Sequence, residues 1–139
     1  MSIETIKSAI RTKLDAMQHL KAAFSFPTAN PSGYWPYAVV TLKGGEGEFA
    51  TTAHNLEKHS FWIRVYQEQA KIGQGVEVAE DISVTVMDEL RTAFNMDTTL
   101  SGNCKYCRPV SYDATYLNRE LDVRVLEVQL DVWDVVSAA

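Results

Sequence analysis

A two-layer α+β fold, with a largely antiparallel sheet of about four to five strands and two helices packed on one face, is predicted by three features of the sequence. Residues 2–24 and roughly 76–95 place apolar side chains three and four apart, as helices with one buried stripe require. Residues 37–43, 59–68, 105–116 and 121–136 are rich in β-branched and aromatic side chains, and several of these runs alternate with a period of two. The resulting order is helix, three strands, helix, two strands, which suits meanders covered by helices rather than a wound parallel sheet.

In the first helix the stripe is Ile3, Ile6, Ile10, Leu14, Met17, Leu20 and Phe24. Ser2 can cap its start, and Glu4 lies where the helix dipole favours an anion. The turn-rich segment 25–36, with three prolines, ends the helix. "YAVVTLK" (37–43) is apolar on both faces and reads as an interior strand. "GGEGEFATTAHNLEK" (44–58) follows, with a possible strand at 49–53. Its three glycines raise the entropy lost on ordering, which predicts a projecting hairpin or loop, mobile in a free subunit and ordered against a neighbour.

"HSFWIRVYQE" (59–68) returns antiparallel. Phe61, Ile63 and Val65 share one face, while Trp62, Arg64 and Tyr66 share the other. In the second helix the buried stripe is Val76, Ala79, Val86, Leu90 and Phe94. The β-branched run 82–87 is compatible with a strand, but the acids on the far side favour the helix. Residues 95–103 form a loop. Pro109 restricts strand 105–116 to a sheet edge or a strand start, and "LNRE" (117–120) makes a turn. In "LDVRVLEVQLDVWDVV" (121–136) the apolar phase changes from odd to even near Val125–Leu126, which predicts a β-bulge or sharp bend there.

At 139 residues the chain suits one domain spanning 1–139, burying roughly two-thirds of its unfolded surface. A formal net charge of −5 with interspersed signs disfavours a direct grip on a phosphate backbone. No apolar run approaches the length of a membrane span. The N-terminal residues lack a signal peptide's apolar core, so the expected compartment is a cytoplasm.

Cys104 and Cys107 form a CxxC pair. A structural zinc would need two further ligands, and His19, His54 and His59 are scattered. Ordinary reduced thiols are the expectation, with a redox pair or a metal site as the alternatives. No Gly-rich phosphate loop, GxSxG, HExxH or calcium-loop pattern is present, and nothing in the sequence groups a base, a nucleophile and an orienting residue. No enzyme activity, cofactor or metal is therefore expected.

The Trp62/Arg64/Tyr66 face is the unusual feature. Aromatics and arginine are enriched at protein interfaces, and Arg64 could stack on a ring while reaching a carboxylate of a neighbour. The competing reading has Arg64 covering its own sheet, with Trp62 partly buried by the 25–36 loop.

The order of elements, with "YWPYAVVTL", the hairpin "TTAHNLEKHSFWIRVYQ" and the closing "RVLEVQLDVW", resembles the tail terminator (tail completion) proteins of long-tailed bacteriophages and related prophages. The likeness covers nearly the whole chain, through element order and length rather than signature residues. It implies an α+β subunit of a hexameric ring that caps the tail tube, ends tail polymerisation and offers a surface to the head–tail connector protein. It implies a virion location, with assembly in the host cytoplasm and no membrane. The tail-tube protein would be a partner, and DNA would pass through the ring without specific binding. In such a ring Trp62, Arg64 and Tyr66 would face a subunit or partner, and Glu46, Glu48 and Lys58 would set register against the tube. The CxxC is a departure from the family pattern. A head–tail connector or other neck protein is the alternative within the same assembly. A small α+β ligand-binding domain or enzyme would need convergent polar groups in a concave pocket.

Overall fold

Helix α1 (Ile3–Asp15) opens the chain, followed by strands β1 (Ala22–Phe24), β2 (Tyr37–Phe49) and β3 (His54–Glu68). Helix α2 (Gly75–Met96) and strands β4 (Tyr106–Tyr116) and β5 (Val123–Ser137) complete it. The computed structural model describes residues 3–18, 20, 22–24, 36–49, 54–68, 75–100, 102–116 and 123–137.

The strands form one sheet in the order β1-β2-β3-β5-β4. β2, β3, β5 and β4 pair antiparallel, whereas β1 runs parallel to β2. The sheet is thus mixed, with one short parallel edge added to the expected antiparallel body. Both helices cover the same face. Ile6, Ile10 and Leu14 of α1 and Val86, Leu90 and Phe94 of α2 share one core with Ala38, Val40, Phe61, Ile63, Val65, Leu126, Val128, Leu130 and Val132. That core is the hydrophobic driving force for the two layers. Lys13 ties the two helices to each other, donating at 3.0 Å to Asp97 just beyond α2.

Several expectations are corrected. The helix expected over 2–24 stops at Asp15, and 22–24 is a strand. Side chains from the last helical turn account for the change of direction: Arg11 donates to the Ala23 carbonyl at 3.0 Å, and the Ala23 amide donates to the Asp15 carboxylate at 3.1 Å. Met17 and Leu20 still enter the core, 8% and 7% exposed, so their helical spacing is satisfied by a turn. The helix expected at 76–95 is observed over 75–96.

Residues 37–66, expected as a meander of up to three strands, hold two long ones. Gly44–Phe49 continues β2 and pairs with Asn55–Ser60, so of the expected hairpin or loop the hairpin is what forms. β3 is clamped on its other side by β5 along its whole length, which gives β2 a fixed template. The expected strand at 49–53 lies, except for Phe49, outside the described residues, as do the turn at 117–120 and most of the 25–36 loop.

The bulge expected near Val125–Leu126 is not there: β5 pairs with β3 without interruption from Val123 to Ser137. The apolar phase changes because β5 buries both faces at that point. Leu126 joins the helix-side core, while Val125, 7% exposed, lies opposite Tyr66 on the other face. Register shifts occur instead between Leu42 and Gly44 and between Pro109 and Ser111. β4 is an edge strand, as Pro109 requires.

Candidate functional site

The face of the sheet turned away from both helices carries an organised array of aromatic and charged side chains. Because pairing is in register, residues from four strands line up in rows. One row is Glu46, Lys58, Trp133 and Tyr106; another is Val39, Arg64, Glu127 and Asp113. Between them lie Ser60, Asp131 and Arg108, and then Thr41, Trp62, Gln129 and Ser111.

Trp62 sits at the centre between two cations. The Lys43 ammonium lies 4.7 Å from the centroid of its ring and the Arg64 guanidinium 5.4 Å, both within cation–π range. The β2 bulge explains Lys43: the register shift adds it to this face between Thr41 and Gly44. Arg64 donates from Nε to Glu127 Oε2 at 2.7 Å, directly across the β3–β5 pair. Both side chains are about one-third exposed. Tyr66 stacks on Tyr37 at 5.1 Å, and Phe24 meets Tyr37 edge-on at 5.9 Å. This end of the face is closed, since Tyr37 and Val39 are 3% and 4% exposed.

A polar chain fixes the middle of the array. Lys43 donates to Gln129 Oε1 at 2.9 Å, and Gln129 donates to Asp131 at 3.1 Å. Ser60 also donates to Asp131, at 2.7 Å. Two donors thus offset the desolvation of a carboxylate that is only 6% exposed. Further along, Lys58 faces Glu46 at 3.7 Å, and the Trp133 and Tyr106 rings lie 5.5 Å apart.

The residues singled out in the sequence therefore share one surface. Trp62, Arg64 and Tyr66 occupy consecutive rows, and Lys58 with Glu46 extends them toward the hairpin. The Glu48 side chain lies outside the described residues. Arg64 finds its carboxylate, Glu127, within its own chain. Sequence reasoning missed Lys43, Glu127, Gln129, Asp131 and Trp133, whose placement depends on β2–β3 and β3–β5 register. The odd phase of Glu127, Gln129, Asp131 and Trp133 in β5 was the one available signal.

Cys104 and Cys107 lie in the loop and strand start after α2, on the core side. Both are free and buried. Burial raises the Cys104 thiol pKa and pushes that of Cys107 up to about 12, which keeps both protonated and unreactive at neutral pH. Their sulfurs face the Thr98 and Asp97 carbonyls at 3.8 and 3.6 Å. Among the described residues, no group of three or more His, Cys, Asp or Glu side chains could hold a metal ion. No described helix is long and apolar enough to cross a membrane.

These features define a mixed-sheet α+β fold with a pre-organised aromatic and charged face. No protein-family model and no curated protein matches the chain. Among solved structures it is similar to a chain of the "virion of native gene transfer agent (GTA) particle", with a TM-score of 0.54 and 15% identity over 92% of both chains. At that identity the likeness is one of fold.

Proposed function

We propose that this chain is a structural subunit of a phage-type virion, and specifically a tail terminator. In this reading it closes a ring, hexameric as in the family it resembles, on the end of the tail tube, stops polymerisation and offers the head connector a surface. The observation that carries the reading is the second sheet face. Trp62, Arg64 and Lys43 are held in place by partners within the chain, so little side-chain entropy remains to be lost when a partner docks. Burial of Tyr37, Val39 and Asp131 makes this face a rigid platform. The fold-wide similarity to a virion chain supports the broader part of this reading, a structural role in a phage-type virion.

Tail tubes assembled without this protein provide the test. Added chain should bind at one tube end and halt elongation, seen by negative-stain imaging. Binding to the head connector alone, with no effect on tube length, would reject the terminator assignment and favour a neck protein.

A further inference from the structure

The proposed ring needs a second surface on each subunit to meet the Trp62 face, and α2 carries one whose chemistry fits. Asp81, Val84, Thr85 and Asp88 are all exposed and recur at the spacings that place them on one stripe of a helix. Val84 is an apolar side chain 53% exposed between two carboxylates. Asp81 and Asp88 are two turns apart, which is about 10.5 Å along a helix axis. On the sheet, the Lys43 and Arg64 cations both lie within 5.4 Å of the Trp62 ring centroid, so they span no more than about twice that distance. An apolar centre flanked by two anions thus complements in sign an aromatic centre flanked by two cations, one of which, Arg64, also keeps Glu127 as a partner in its own chain. The Lys43 ammonium has a neutral amide as its hydrogen-bond acceptor, so its charge can be matched by a carboxylate from outside.

We infer that the α2 stripe of one subunit docks on the Trp62 face of the next, with Val84 against the indole and Asp81 and Asp88 on the two cations. This contact deepens the ring reading and rests on it. The two surfaces belong to opposite layers of the fold, the outer side of a helix and the side of the sheet turned away from the helices. Each copy therefore presents one of each, and the contact is heterologous, the kind that generates a ring when the rotation between neighbours closes. The occupant is a second copy of this chain.

Charge exchange tests the contact in the full chain. Lys43→Glu, Asp81→Lys and Asp88→Lys change exposed residues, and thermal melts check that each variant folds. Sedimentation should show self-association weakened about tenfold or more for each variant, through like-charge opposition. One of the two combined variants, Lys43→Glu with Asp81→Lys or Lys43→Glu with Asp88→Lys, should recover association toward the wild-type level. Single variants that assemble like wild type, or combined variants that both stay weak, would overturn the contact while leaving the ring standing. A wild-type chain that assembles neither alone nor on tail tubes would remove the ring reading and this contact together.

Discussion

Arg64 has two relations within its own chain: the Glu127 carboxylate at 2.7 Å and the Trp62 ring at 5.4 Å. Being one-third exposed, the ion pair contributes modestly to folding. Arg64→Ala should therefore cost within about 1 kcal/mol of stability in chemical denaturation. In an assembled ring the same change should remove about 2 kcal/mol of association energy, as an interface hot spot does. Equal losses in the two measurements would mean that Arg64 serves the fold alone. The alternation of Trp62, Arg64 and Tyr66 was legible in the sequence because it is local. Their partners Glu127, Lys43 and Tyr37 were not, because only strand register brings them near. The thiols make a second residue-scale prediction. A Cys107 pKa raised from its ordinary 9.0 to about 12 means that the unfolded chain loses this proton first as pH rises. The two thiols should thus leave stability unchanged below about pH 9 and lower it progressively from there toward 12. Iodoacetamide at neutral pH should label Cys104 and Cys107 only after denaturation, and purified protein should contain well below one zinc per chain. Rapid native labelling or stoichiometric zinc would contradict the buried-thiol account.

The elements show where periodicity informs and where it misleads. α2 was legible because its stripe, its acidic far side and its length all agree. The end of α1 was not, since Met17 and Leu20 keep helical spacing while occupying a turn, and the capture of Ala23 by Arg11 and Asp15 is a tertiary event. Three glycines left either a hairpin or a loop open at 44–58, and β3, held in turn by β5, makes this stretch a hairpin. The close approach of β2 to β3 makes a specific demand there. A Cβ on Gly45 would meet the Lys58 carbonyl oxygen at 2.8 Å, whereas one on Gly47 would meet nothing within 4 Å. Gly45→Ala should destabilise by about 1–3 kcal/mol, as overpacking does. Gly47→Ala should be neutral or stabilise by up to about 1 kcal/mol. Urea unfolding of the two variants side by side checks the pair, and similar midpoints would mean that the hairpin backbone yields locally.

At the scale of the whole molecule, one sheet separates a core built by both helices from a face of aromatic and charged side chains. The division was legible in outline, because Phe61, Ile63 and Val65 alternate with Trp62, Arg64 and Tyr66 along a single strand. What the sequence could not convey was how far that face is already assembled, with Tyr37, Val39, Val125 and Asp131 buried in it. A platform held this rigidly suits repeated copies of one geometry, which is what a closed ring requires. Light scattering coupled to size exclusion, on the wild-type chain at high concentration and in the presence of tail tubes, measures this claim most directly. The expected result is one discrete species at six times the 15.6 kDa chain mass, free or on the tube end. A chain that elutes at 15.6 kDa under both conditions would contradict it.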